Sequence, residues 1–304
     1  MIFRRKFVLR YLLMWAMLAF LLFLSSLWLH QEEVGDCGPA GHPCRRVSHK
    51  NQKPISLPEK WAGPDIAPHL IKECPGQTFQ ASQLLTFLKA SLSDEDDVLL
   101  GPYLQSWDQL ISFMESLGTV VGFFSQKVIE KVSLIRELSL KHAAETRWNS
   151  GLQTIASFGL DTGMYRSVRS MVEAELKAGV VNFSWRTDSG CRTLLRLHRS
   201  QLWLKLMLEG LTEPPDAEGR FKTPGELCRD AYQVALAPHH PWMLRQAAEL
   251  VFHALPDRKY FLQLVCVQSQ SEAVPVLRVI IHALTLVHAR TQRVLEEHGM
   301  LELP

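Results

Sequence analysis

The chain has 304 residues, 47% hydrophobic and 21% charged, enough to bury one substantial core and compatible with one or two domains. Its net charge is +2, yet Arg4, Arg5, Lys6 and Arg10 precede the first acid, so everything after residue 10 is net negative. That balance excludes a broad nucleic-acid surface, which needs many clustered cations to neutralise phosphates.

Residues 11–29 form an uninterrupted apolar run directly after that basic cluster. The run is long enough to cross a bilayer, and cations on its N-terminal flank keep that end cytoplasmic. The spacing predicts a signal anchor over residues 1–30, with a cleaved signal peptide as the alternative, and it places the rest of the chain on the lumenal or extracellular side. If the segment is cleaved the protein is secreted; if it is not used the protein is cytosolic. Residues 31–72 hold Pro39, Pro43, Pro54, Pro58, Pro64 and Pro68 among mixed charges and few large apolar residues, which reads as a semi-extended stalk.

From residue 73 to 304 the pattern is helical, and one all-α domain is expected. Tyr103, Trp107, Leu110, Ile111, Met114 and Leu117 recur every three or four residues, as do Val120, Phe124, Val128, Ile135 and Leu138 in the next segment. A third face runs through Met164, Tyr165, Val168, Met171, Val172 and Leu176 and stops at Gly179. Thr223-Pro224-Gly225-Glu226 is a capping box with proline at the first helical position and opens a helix through Leu236. His240-Pro241-Trp242 opens another that runs to Leu255, and a last long helix spans about Ser271 to His298. No window alternates with period two between turn signals, so no strand is expected.

The stretch from Gly190 to Leu208 organises the rest. It has no glycine or proline after its first residue and is rich in Leu, Met, Lys, Arg and Gln, so a helix of about five turns is the cheap conformation. Arg192, Arg196 and Arg199 fall on one stripe that continues through Trp203 into Leu206 and Met207. The apolar residues from Leu202 to Leu208 go nearly all round, which predicts burial on more than one side. The arginines either line a solvated face or form the seat of an anionic head attached to an apolar body, because guanidinium forks match phosphate oxygens. Lys131 sits on the Phe124–Leu138 stripe with Lys127 one turn earlier. Either Lys131 snorkels out at the core rim or it faces the same anion as the arginines.

Signals for catalysis are thin. Asp161-Thr162-Gly163 and Asp188-Ser189-Gly190 match the short aspartic-protease triplet, but both stand at helix starts, where Asp and Ser are expected caps. No H-E-x-x-H, G-x-S-x-G or phosphate-binding glycine loop is present, and the twelve histidines show no metal-site spacing. No enzyme, cofactor or metal is predicted. Of six cysteines, Cys37 and Cys44 are the easiest pair to close in a lumenal chain, and Asn182-Phe183-Ser184 is a glycosylation sequon.

The chain from about Cys74 onward resembles the glycolipid transfer protein superfamily, and within it the ceramide-1-phosphate transfer protein branch. The likeness is collinear through Leu99-Leu100-Gly101-Pro102-Tyr103-Leu104-Gln105-Ser106-Trp107, Ser116-Leu117-Gly118-Thr119, Ser189-Gly190-Cys191-Arg192-Thr193, His198-Arg199, Leu208-Glu209-Gly210-Leu211, His240-Pro241-Trp242 and Leu301-Glu302-Leu303-Pro304. The resemblance implies a two-layer helical sandwich that binds a phosphate-headed sphingolipid, ceramide 1-phosphate above all, and moves it between membranes without chemistry. By matching positions it implies that Lys131, Arg192 and Arg196 hold the phosphate, His240 meets the ceramide amide region, and Trp242 contacts the membrane surface. Glycolipid-binding relatives carry a sugar-stacking Trp at the position of Arg196. The family places an Asp where this chain has Lys127, which cannot accept the amide hydrogen. Lys127 then either joins the head-group site or marks a lipid-sensing module that binds without transfer.

Overall fold

The computed structural model describes residues 71–150 and 163–304. The apolar run at 11–29, nearly all of the Pro-rich segment, Cys37, Cys44, Asp161 and Thr162 lie outside the described residues. Helix α1 (Ala81–Ala90) buries Ala81, Leu84, Leu85 and Leu88, and α2 (Leu100–Ser116) buries Tyr103, Leu104, Trp107, Leu110 and Ile111, the face its spacing predicts. A left-handed glycine, Gly118 (φ 105°), separates α2 from α3 (Thr119–Ser150). Helix α4 (Val168–Lys177) starts later than its apolar spacing suggests. Ser167 takes the Ser170 amide while the Ser170 hydroxyl takes the Ser167 amide, a reciprocal cap that fixes the first turn, and Met164 is left exposed outside it.

Helix α5 (Gly190–Thr212) is the expected central helix. Its N-cap is Ser189, whose side chain accepts from the Arg192 amide, the capping role expected of that triplet. Helix α6 (Pro224–Ala235) opens on the predicted Thr223–Glu226 capping box, followed by a 3-10 turn (Ala237–His239) and α7 (Trp242–Ala254). Helix α8 (Arg258–Leu264), with only seven residues, and α1 were not expected from periodicity. Helix α9 (Gln270–Glu297) is followed by a second 3-10 turn, Met300–Glu302. Among the described residues there is no strand, only isolated bridges from Leu92 to Val98 and from Leu99 to Ser167.

Helix α5 packs chiefly between α9 and α6 and also meets α3 and α4, while α1, α2 and α3 follow one another and α9 returns against α1. This is why α5 is apolar nearly all round: Leu194, Leu195, Leu197, Leu204, Met207 and Leu211 are all buried, and none of residues 202–208 is exposed. Trp203 donates its indole N–H to the Cys228 carbonyl of α6 at 3.0 Å, so the stripe leaving the arginines ends in a helix–helix contact. By length and composition α9 could cross a membrane, with a mean hydropathy of 1.4 over its apolar window. Its face of Val276, Leu277, Ile280, Ala283, Leu284, Val287 and Val294 is instead buried in the core.

A disulfide that the cysteine spacing did not reveal joins Cys74 to Cys266 across 192 residues of sequence, tying the segment before α1 to the loop before α9. Cys191 and Cys228 are buried thiols, both pushed up in pKa by burial, Cys228 to about 12.

Candidate functional site

The site begins with what anchors the first turn of α5. Glu175, a buried carboxylate on α4, accepts the amides of Gly190 at 2.6 Å and Cys191 at 2.9 Å and the Tyr165 hydroxyl at 2.7 Å. A negative group at a helix N-terminus satisfies otherwise orphaned N–H groups and meets the positive end of the dipole. Glycine at 190 makes room for this contact: an added Cβ would lie 2.6 Å from the Met171 sulfur and 2.9 Å from Glu175 Oε1, and both side chains would have to shift. The first turn of α5 is thereby pinned to α4, and the arginines that follow project from a rigid platform.

Arg192 and Arg196 are half-buried on the next two turns. Arg192 donates through Nε to the Pro304 backbone oxygen (2.9 Å) and through Nη1 to the Thr187 carbonyl (3.4 Å). Arg196 donates to the Arg192 carbonyl (3.1 Å) and to the same Pro304 oxygen (3.2 Å), and Arg199 reaches the Leu301 carbonyl (2.8 Å). Backbone oxygens orient all three guanidinium groups; among the described residues none of them forms a salt bridge. Burial and then the neighbouring cations Arg192, Arg186 and Arg199 push Arg196 down to about 10.

Lys131, on α3, comes to this cluster. Burial lowers its ammonium to about 8, with Arg196 the largest charge acting on it and Lys127 and Arg192 adding to the effect. Its Nζ turns back along the helix to the Lys127 carbonyl at 2.9 Å. Lys127 itself points outward into an exposed ion pair with Glu130, at 2.9 and 3.0 Å. His240 is half-buried after the 3-10 turn, its Nδ1 2.8 Å from the Tyr232 hydroxyl. Burial, then His239 and Lys131, push His240 down to about 4, so its ring is neutral at pH 7. Trp242, two residues on, is 69% exposed at the start of α7.

The fold thus brings Lys131, Arg192, Arg196 and His240 into one electrostatic neighbourhood, with Lys127 at its edge. Two contributors escaped the sequence reading. Arg186, in the exposed loop before α5, acts on both Arg192 and Arg196, and Pro304 supplies the shared oxygen; neither lies on a periodic stripe. Half-buried cations without acidic side-chain partners are costly to hold, and an anionic ligand relieves that cost. Beside them Val132 and Ile135 of α3 and Leu195 of α5 are fully buried apolar residues. A separate cavity of about 210 Å³ lies at the far end of α5, lined by Gly210, Glu213, Arg220 and Arg258 among others, with its charges largely paired.

Fold and site together define an all-helical protein that presents concentrated positive charge next to an apolar core, the arrangement of a binder of anionic amphiphiles. Residues 98–267 match the family model described as Glycolipid transfer protein (GLTP), and the chain belongs to that family. It is 35% identical over 230 residues to the human ceramide-1-phosphate transfer protein, covering 74% of this chain and 97% of that protein. It is 37% identical over 232 residues to the Xenopus laevis protein of the same name, covering 75% and 98%. The crystal structure of the human protein in complex with 12:0 ceramide-1-phosphate superposes with a TM-score of 0.60 at 35% identity, covering 73% of this chain and 97% of that one.

Proposed function

We propose that this protein binds a phosphate-headed sphingolipid, ceramide 1-phosphate above other lipids, and transfers it between membranes without covalent chemistry. The observation that carries the reading is that Lys131 of α3 lies within electrostatic reach of Arg192 and Arg196 on the adjoining α5, and that among the described residues no acidic side chain forms a salt bridge to any of them. The phosphate takes the remaining guanidinium N–H groups and the Lys131 ammonium, His240 meets the amide region, and the acyl chains follow the apolar sides of α3 and α5. Similarity to proteins named for ceramide-1-phosphate transfer, one solved with that lipid bound, supports the choice of ligand. Lys127, held by Glu130, adds positive potential at the rim.

Trp242, large, amphipathic and exposed beside His240, is the membrane-contacting residue of this reading. The domain lies on the lumenal or extracellular side, tethered by the apolar run at 11–29. A Cys74–Cys266 disulfide, the kind of bond that persists in oxidising compartments, and the Asn182 sequon in the loop before α5 support that side.

The test is vesicle-to-vesicle transfer of fluorescent ceramide 1-phosphate by the full chain and by Arg196→Leu. The variant is expected to keep its helical circular dichroism and lose at least about tenfold in phosphate-lipid uptake, since a charge-assisted pair is worth about 1.5–3 kcal/mol. Unchanged uptake would remove the phosphate assignment. Uptake without release to acceptor vesicles would leave a sensing module in place of a carrier.

A further inference from the structure

The last residues of the chain lie across the arginine face of α5. Gly299, in the left-handed region (φ 66°), turns the backbone out of α9, and the 3-10 turn Met300–Glu302 carries it back over α5. Met300 and Leu303 are buried at 0% and 4% exposure, so the segment is fastened by its own side chains. Its backbone oxygens then meet the arginines in order. Leu301 takes Arg199, and the single oxygen of Pro304 takes both Arg192 Nε and Arg196 Nη2. One acceptor therefore spans two guanidinium groups a helical turn apart.

Each guanidinium carries five N–H groups in a fixed plane. Arg192 and Arg196 each spend two of them on backbone oxygens, and these contacts set the rotation of both planes. Arginine side chains otherwise retain much rotamer freedom, which a ligand would have to freeze. No acidic side chain is among these acceptors.

We propose that the C-terminal segment is an integral part of the anion site: the Pro304 backbone oxygen, fastened through Leu303, is the positioning group that aligns Arg192 and Arg196 toward one phosphate. The proposal rests on the reading of these arginines as the phosphate seat. It assigns residues 301–304 a part in lipid choice as well as in closing the core.

The experiment compares the full chain with a chain that stops at Leu303, which keeps the buried anchor and takes the Pro304 oxygen away from Arg192 and Arg196. Binding of short-chain ceramide 1-phosphate and of neutral ceramide is measured by tryptophan emission, and solvent exchange of the Arg192 Nε proton is followed by NMR. The shortened chain should bind the phosphate lipid at least tenfold more weakly with neutral ceramide unaffected, and its Nε proton should exchange faster. P304A, which retains the backbone oxygen, should rescue both. Equal binding and equal exchange in the two chains would overturn the proposal, and tighter binding by the shortened chain would make the segment a competitor of the lipid. If the full chain binds no phosphate lipid yet its Nε proton is protected and loses protection on shortening, the phosphate reading fails while the clamp stands. A loss shared equally by both lipids would reduce Pro304 to a general stability role and overturn its assignment.

Discussion

Glu175 Oε1 accepts the Gly190 amide at 2.6 Å, so the carboxylate of one helix forms the floor on which the first turn of the next is built. Removing either half should loosen the platform under Arg192. Glu175→Ala removes the acceptor of two buried amides and of the Tyr165 hydroxyl and is expected to cost about 2–4 kcal/mol. Gly190→Ala drives a methyl into Met171 and Glu175 and should cost about 1–3 kcal/mol. Urea unfolding checks both, and a loss under about 0.5 kcal/mol in either would contradict the assignment.

Lys131 should give lipid binding a pH dependence near neutrality. Its lipid-free pKa is about 8, against an ordinary 10.5, because burial and Arg196 oppose its charge. The ammonium assigned above, as a proposal, to the phosphate is therefore lost as pH rises through about 8, and initial uptake should weaken over that range. Bound phosphate favours the charged form and moves the inflection upward. Lipid-free stability should run the other way: the unfolded chain binds more protons between pH 8 and 10.5, so stability rises with pH across that window. Lys131→Gln should bind more weakly and lose the inflection, and an unaltered inflection would assign it to another group.

A second pH effect belongs to the core. His198 and His288 stack between α5 and α9 with ring centroids 4.0 Å apart and an interplanar angle of 17°. Burial pushes them down from 6.5 to about 4 and about 3, and His198 Nε2 sits 2.5 Å from Gln292 Oε1. Both rings are neutral when folded and protonate more readily when unfolded, so their contribution is complete above pH 6.5 and declines as pH falls toward 4. Thermal scans should show Tm dropping by roughly 5–10 °C over that range. His288→Leu should make the slope shallower; an unchanged slope would shift the effect to other groups.

The Cys74–Cys266 bond closes a loop of 192 residues, and opening it frees a large denatured ensemble. Cys266→Ser is expected to lower stability by about 2–5 kcal/mol on the loop-entropy scale. Non-reducing mass mapping of the chain expressed in an oxidising compartment should recover the Cys74–Cys266 cross-linked peptide. Recovery of both residues as free thiols from an oxidising compartment would contradict this pairing.

Much of the molecule was legible before folding. The periodic faces of α2, α5 and α9, the Thr223–Glu226 cap and the Ser189 cap follow from spacing and capping chemistry, which act over a few residues. So did the stripe of Arg192, Arg196 and Arg199, because a helix turns i and i+4 residues to the same side whatever surrounds it. The start of α4 was misjudged because the apolar run at Met164 and Tyr165 continues past a local cap at Ser167.

What sequence periodicity determined by itself was the helices, their apolar faces and the charge each carried. Periodicity left open whether Lys131 joins the arginines, which only the resemblance implied; tertiary structure alone decided that Glu175 seats α5 and that the oxygen of Pro304 spans two guanidinium groups. These last two pairings join residues separated by 15 to 112 positions. Their partners are chosen by packing and by local rotamers, and neither leaves a period in the sequence.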